Sequence, residues 1–225
     1  MSSITVLLVE DHTVVREGFR ALLDLESDIT VVGEAHHGRE AVELTGRHKP
    51  DVVIMDIAMP LLNGVGATRQ ILEMVPGTKV LVLSAHSDDP YVQGVLDAGA
   101  VGFLIKQTSA QILSKAIREV KKGKTFFSPS IAKRIQGFLR SGIAKSSPRK
   151  KVAKGLTSRE MEVIQMIAEG APNKKIASDL GISIKTVEKH RQHLMDKLNI
   201  HDTAGLTRYA IANGIIESSV QVTII

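Results

Sequence analysis

The 225-residue chain contains no cysteine, which excludes a disulfide framework, a thiolate metal site and a cysteine nucleophile. A cysteine-free chain also fits a reducing compartment. No apolar run approaches the roughly 18 residues needed to span a bilayer. The first such run, Ile4 to Val9, is too short for a secretory signal and is followed at once by Glu10 and Asp11. Internal repeats and low-complexity tracts are missing as well. These absences lead us to expect a soluble, cytoplasmic protein with no membrane partner, long enough for two modest domains.

What the chain does have is a charge asymmetry hidden inside a net charge of +5. Residues 1–123 hold 12 Lys and Arg against 16 Asp and Glu, a net of −4; residues 124–225 hold 17 against 8, a net of +9. An acidic half joined to a basic half suggests two tasks, the basic one suited to nucleic acid.

The first half alternates between two periods. Strand-like runs occur at ITVLLV (4–9), ITVVGEA (29–35), DVVIMD (51–56), KVLVLS (79–84) and VGFLIK (101–106), with helical patterns between and after them. Five strand–helix units predict an α/β fold: a flavodoxin-like, doubly wound, five-stranded parallel sheet over 1–123. From Lys122 the character changes. FFSPSIAKRIQGFLRSG reads as a helix with Ser128 at its N-cap and Pro129 at its first position. The basic stretch from Ile143 to Gly155 reads as an exposed linker, so 124–155 joins two domains. Residues 156–225 are expected to form a second, all-α domain of four helices, opened by a capping-box pattern, Thr157 followed by Glu160.

In a doubly wound sheet, ligands bind beyond the carboxyl ends of the strands, where strand order reverses. Glu10 and Asp11 follow the first predicted strand and Asp56 the third; in the flavodoxin-like order these strands are neighbours, so the acids converge. Clustered carboxylates repel unless a cation joins them, and hard oxygen donors beside a phosphate favour Mg²⁺. Ser84 and Lys106 stand at the next strand ends. His12 and His86 lie near this site in sequence but suit packing or solvent, and His36-His37 suits an exposed loop without metal-ligand spacing.

Glu10-Asp11, Asp56-Ile57-Ala58-Met59-Pro60, Asn63-Gly64, Ser84-Ala85 and Lys106 together resemble the receiver domain of two-component response regulators, over residues 4 to about 122. The resemblance implies that Asp56 accepts a phosphoryl group from a partner histidine kinase. It implies Mg²⁺ on Asp11, Asp56 and the Ala58 carbonyl, with Glu10 acting through water. Ser84 and Lys106 would grip the phosphoryl oxygens, and Phe103 would follow the state of Ser84. Gly64 is expected to supply a positive φ in a tight turn.

In the second half, Ile176 to Leu198 reads as helix, turn, helix, with Val187, Leu194 and Leu198 on an apolar face. The opposite face carries Lys185, Glu188, Lys189, Gln192 and Asp196; Lys and Gln are side chains able to bond base edges. Leu156-Thr157-Ser158-Arg159-Glu160, Asn173-Lys174-Lys175-Ile176-Ala177 and Ser183 to Arg191 resemble the LuxR-type helix-turn-helix, with Lys197-Leu198 and Tyr209-Ala210 continuing the match. A receiver joined to this module is the arrangement of the NarL/FixJ family. The resemblance implies that Glu188, Lys189 and Gln192 face base edges while Lys174, Lys185, Thr186 and Arg191 hold phosphates. It also implies that the last helix, Thr203 to Ile215, pairs two copies, although its apolar residues suit an ordinary core equally. Pro172 and Lys175 depart from the commoner Ser and Glu of the family; Lys175 adds charge and removes a possible helix-to-helix salt bridge.

The expected function is a phosphorylation-activated DNA-binding transcriptional regulator of a two-component system, partnered by a histidine kinase, double-stranded DNA and, when phosphorylated, a second copy of itself. One alternative is a regulator that binds DNA without phosphorylation. Another is an aspartate-based phosphotransferase; such enzymes place a general acid two residues after the nucleophile, and here that position is Ala58.

Overall fold

The structure, a computed structural model, describes residues 3–85, 89–140 and 156–216. His86 and the basic stretch 143–155 lie outside them. The chain divides into two compact units, Met1–Lys151 and Val152–Ile225. Among the described residues no helix is long and apolar enough to cross a membrane.

The first unit is built on parallel strands β1 (Ile4–Val9), β2 (Ile29–Ala35), β3 (Val52–Met55), β4 (Lys79–Ser84), β5 (Gly102–Ile105) and β6 (Phe126–Phe127), in the order β2-β1-β3-β4-β5-β6. The helices are α1 (Thr13–Asp24), α2 (Gly38–His48), α3 (Gly64–Met74), α4 (Asp89–Asp97), α5 (Ala110–Lys121) and α6 (Pro129–Arg140). The flavodoxin-like order is as expected; the sheet has six strands where five were predicted. Phe126 and Phe127 pair with Gly102 and Phe103, extending the sheet by two residues too few to register as a strand period.

Successive strand residues point to opposite faces, and the core splits accordingly. Val6, Leu8, Val52, Ile54, Leu81, Leu83 and Leu104 meet Phe19 and Leu23 of α1 and Leu113, Ile117 and Val120 of α5. Leu7, Val9, Val53, Met55, Val80, Val82 and Phe103 meet Ala41, Ile71, Val92 and Val95 from α2, α3 and α4. That second layer also contains Ile131 of α6, fully buried, so the helix following Pro129 packs against the sheet. Ser128 stands at its start as expected, but its buried hydroxyl makes no hydrogen bond.

The second unit comprises α7 (Ser158–Ala168), α8 (Asn173–Leu180), α9 (Ile184–Leu198) and α10 (Thr203–Ala212). Val163, Ile164, Ile167, Ile176, Leu180, Val187, Leu194 and Leu206 form its buried interior. Each boundary has a chemical cause. Thr157 and Glu160 form the reciprocal capping box at α7. Gly181, with φ +63°, takes the left-handed conformation that ends α8. The Ser183 hydroxyl accepts the Thr186 N–H at the start of α9, and Asp202 accepts the Gly205 N–H at the start of α10. Arg159 of α7 donates to the Leu180 carbonyl at the end of α8, at 2.8 Å.

Glu160 also ties α7 to α9. Lys197 Nζ donates to both its carboxylate oxygens, at 2.8 and 2.6 Å. Burial would raise the Glu160 carboxyl, but Lys197 and the Thr157 N–H and hydroxyl outweigh it and hold it below its ordinary value. A depressed folded value stabilises the fold at neutral pH and is lost as pH falls through it. Because Lys197 is 40% exposed, water screens the pair. Lys197→Ala should therefore cost only about 1–2 kcal/mol of second-unit stability at pH 7, and the difference should shrink towards pH 3 in a chemical-denaturation series.

Candidate functional site

The carboxyl ends of β1 and β3, adjacent in the sheet, deliver the acids to one place. Glu10 and Asp56 are almost fully buried, 2% and 3% exposed. Lys106, following β5, reaches across β4 to place Nζ 2.9 Å from Asp56 Oδ2 and 2.7 Å from Glu10 Oε2. Asp56 Oδ1 accepts the Ile57 N–H at 2.8 Å. Ser84 ends β4, buried, and its carbonyl accepts the Lys106 N–H at 2.9 Å, which joins the two strand ends. Phe103, 1% exposed, sits two register pairs before Ser84, opposite Val82, in the core layer.

Burial pushes the Asp56 carboxyl up to about 6; Lys106 opposes the rise and the Glu10 charge adds to it. Burial works to lower the Lys106 ammonium, but Asp56 and Glu10 outweigh it and hold it above its ordinary value. Asp56 at neutral pH is thus a buried anion held by one cation that it shares with a second anion.

Among the described residues one group of side chains could hold a metal ion: ligand atoms of Glu10, Asp11, His12 and Asp56 all lie within 4.8 Å of one another. Their chemistry fits a divalent cation. Three carboxylates face a single lysine ammonium, leaving about two negative charges uncompensated, and the donors are predominantly hard oxygens. Asp11 Oδ1 is closed to solvent, with His12 Nδ1 2.8 Å away. Ala58, half-buried, stands in the loop directly after Asp56.

The loop from β3 to α3 departs from expectation at Gly64. Gly64 is the first residue of α3, and the left-handed residue in this loop is Leu61, with φ +67°. What demands glycine at 64 is proximity: a Cβ there would stand 2.0 Å from the Asp56 carbonyl oxygen. Asn63 caps α3 by accepting the Gly66 N–H at 2.8 Å.

Two contributors depart from the sequence reading: Arg16, which was not singled out, and His12, which was expected only to pack or meet solvent. Arg16 of α1, buried, donates to the Glu10 carbonyl at 2.9 Å and to Glu34 at 3.2 Å, bracing the turn that carries the acids. His12, although largely solvent-exposed, has Nδ1 2.8 Å from Asp11 Oδ1 and 3.1 Å from Glu10 Oε1. The Asp11 charge raises its imidazole above the ordinary value; burial opposes this and Glu10 reinforces it. A histidine beside two acids was a visible signal whose direction only the fold supplies. The His36-His37 pair also differs from expectation in part: His36 is exposed, but His37 is half-buried and caps α2, its Nδ1 accepting the Glu40 N–H at 3.1 Å.

On the second unit, Lys185, Glu188, Lys189 and Gln192 are exposed on α9 at helical spacing i, i+3, i+4 and i+7, and so share a face. Val187 and Leu194 are buried on the opposite side, with Leu198 half-buried. Lys174 is exposed on α8. Thr186 and Arg191 are more engaged within the fold. Thr186 contacts Ser183 Oγ at 2.8 Å. Arg191, half-buried, donates to Asn173 Oδ1 at 3.2 Å and to Thr203 Oγ1 at 3.5 Å, linking α9 to the starts of α8 and α10. Gln192 donates to Asp196 at 2.8 Å. Lys175 pairs with Asp179 one turn on, at 3.0 Å.

This acid–lysine constellation on a flavodoxin-like sheet, followed by a helix-turn-helix, defines a two-domain signalling regulator. Comparison with known proteins makes the class specific. Residues 6–118 match the family model of the response regulator receiver domain, and residues 154–210 match that of bacterial regulatory proteins of the luxR family. The transcriptional regulatory protein LiaR of Bacillus subtilis is 37% identical over 213 residues, covering 95% of this chain and 99% of LiaR. The transcriptional regulatory protein DegU of Brevibacillus brevis is 36% identical over 224 residues, covering 95% of each chain. The solved structure of a complex of the two-component response regulator RcsB with DNA aligns over 94% of this chain and 99% of RcsB, with a TM-score of 0.57 and 26% identity. The chain belongs to the NarL/FixJ family of transcriptional response regulators, a receiver domain followed by a LuxR-type DNA-binding domain.

Proposed function

We propose that Asp56 is the phosphoacceptor of this regulator and that its phosphorylation by a histidine kinase raises affinity for paired sites on double-stranded DNA. The observation that carries the reading is the Glu10–Lys106–Asp56 contact set at the strand-order reversal. Such a set both tolerates a buried carboxylate and leaves a cation positioned for a newly arrived phosphoryl group.

An oxygen of Asp56 bonds to phosphorus as the phosphorus–nitrogen bond of the donor phosphohistidine breaks, the electron pair remaining on the departing imidazole nitrogen. Asp11, Asp56 and the Ala58 carbonyl, with Glu10 through water, are the groups suited to Mg²⁺, whose chemistry is neutralisation of charge on the transferred phosphoryl. Phosphorylation replaces a single charge with about −1.5 to −2. Lys106 then moves its contact from Asp56 Oδ2 to a phosphoryl oxygen, and the Ser84 hydroxyl donates to another. The Ser84 shift opens space that Phe103 can fill, which transmits the state of the site to the surface. The result is a population shift towards a dimer able to engage two half-sites.

The exposed face of α9 is the reading surface: Glu188, Lys189 and Gln192 reach base edges, while Lys174 and Lys185 hold phosphates. Thr186 and Arg191, tied into the fold, position the helix and offer remaining donors to the backbone. The RcsB–DNA complex supports duplex DNA as partner. Ala58, in the place where aspartate phosphatases carry their general acid, supports a switch over an enzyme.

Selection of bound fragments from sheared genomic DNA, with and without beryllium fluoride as phosphoryl mimic, tests the reading. Fragments enriched only with the mimic are expected; equal enrichment without it would establish a phosphorylation-independent regulator instead. With a selected fragment in hand, Lys189→Ala should weaken specific binding about 10- to 100-fold while changing random-sequence binding far less. Equal loss on both would make Lys189 a phosphate contact.

A further inference from the structure

We propose that His12 is a nitrogen donor to the acidic pocket, making it a site that takes a transition-metal dication such as Co²⁺ more tightly than Mg²⁺. The inference rests on reading the Glu10–Asp11–Asp56 pocket as a divalent-cation site, and adds to it a ligand of different chemistry.

The molecule supplies its own comparison. His12 and His37 both occupy the N-cap position of a helix, α1 and α2, with extended backbone. His37 uses Nδ1 to accept the Glu40 N–H, the ordinary task of a polar N-cap side chain. His12 makes no side-chain cap bond. Its Nδ1 is turned to the carboxylates instead, 2.8 Å from Asp11 Oδ1 and 3.1 Å from Glu10 Oε1. Asp11 Oδ1 is closed to solvent, so that ring nitrogen is turned to the inner, pocket side of the carboxylate. One ligand atom each from Glu10, Asp11, His12 and Asp56 fits within 4.8 Å, the compass of a single ion's ligand sphere.

Imidazole nitrogen suits later first-row dications, whereas Mg²⁺ prefers oxygen ligands and retained water. His12 therefore separates the two classes of ion: it adds a bond for Co²⁺ and leaves Mg²⁺ held by oxygens alone. The 65% exposure of its side chain places this donor on the solvent side, where an ion enters. On binding, the ion takes the place of the proton shared between Nδ1 and Glu10, and that proton passes to solvent.

The test is calorimetric titration of the full chain with Mg²⁺ and with Co²⁺, together with the visible absorption of bound Co²⁺. The proteins compared are wild type, His12→Ala, His12→Gln and Asp11→Asn, each checked for unchanged thermal unfolding without metal. Expected results are Co²⁺ affinity lowered at least about tenfold by both His12 variants, Mg²⁺ affinity within about twofold of wild type, and a changed Co²⁺ spectrum. Equal weakening of both ions, an unchanged Co²⁺ affinity, or a gain for both would overturn the nitrogen-donor assignment. Asp11→Asn should weaken both ions. If it weakens neither, the cation reading of the pocket itself fails, a result distinct from failure of the His12 assignment.

Discussion

Asp56→Asn is expected to abolish the response of DNA binding to phosphoryl donor or beryllium fluoride while making the first unit more stable. The loss follows because an amide cannot form the acyl phosphate, and Asp56, at the end of β3 with Lys106 Nζ 2.9 Å from its Oδ2, is the proposed acceptor. The gain follows from the folded-state titration. Burial holds the Asp56 carboxyl at about 6 against an ordinary 3.8. The native chain therefore binds that proton more tightly than the unfolded chain. In metal-free buffer its contribution is fully present below the unfolded value and is lost as pH rises through about 6. At neutral pH the ionised group costs roughly 3 kcal/mol, a cost that asparagine removes while still accepting the Ile57 N–H. Urea unfolding with chelator, from pH 4 to 8, should show wild type losing stability across that window and Asp56→Asn losing much less. A variant no more stable than wild type at pH 7.5 would mean that Lys106 fully offsets the burial. A retained response to the phosphoryl donor would remove Asp56 from its assigned role.

Gly64→Ala should be the most damaging single-methyl change in the first unit. The added Cβ would stand 2.0 Å from the Asp56 carbonyl oxygen and 2.9 Å from both the Asp56 carbonyl carbon and Ile57 Cα. All three are backbone atoms, so no side-chain rotation relieves the contact; the start of α3 or the end of β3 must move. Overpacking of this kind costs on the order of 3 kcal/mol, and the displacement falls on the residue that carries the chemistry. Reduced thermal stability together with loss of phosphoryl uptake is expected. Gly18→Ala is the control. Gly18 lies within α1 with nothing within 4 Å of its added Cβ, so the same change there should stabilise by about 0.5–1 kcal/mol. If both substitutions behaved alike, the close approach at Gly64 would not be the reason for glycine there.

Much of this was legible before any coordinates. Three of the strands, Ile4–Val9, Ile29–Ala35 and Lys79–Ser84, coincide with their apolar runs. β1 and β4 are buried along most of their length, so few polar positions blur their limits. The acids could be placed because strand ends in a parallel sheet are ligand sites whatever the side chains around them. Thr157 with Glu160 marked the start of α7, since a capping box is satisfied within four residues.

By itself, then, the sequence determined the alternation of strand and helix, the convergence of Glu10, Asp11 and Asp56, and the split between an acidic and a basic domain. The first and third follow from local burial periodicity and charge, which short stretches of chain report by themselves; the second follows once the alternation implies the flavodoxin-like strand order that makes β1 and β3 neighbours. The tertiary structure alone decided why residue 64 is glycine, why His12 turns to carboxylates while His37 caps a helix, that Arg16 braces Glu10, and that Phe126-Phe127 join the sheet. The approach at Gly64, the Arg16 brace and the sixth strand are contacts between segments brought together by the fold, while the two histidines differ in side-chain direction, which neighbouring residue types alone do not set.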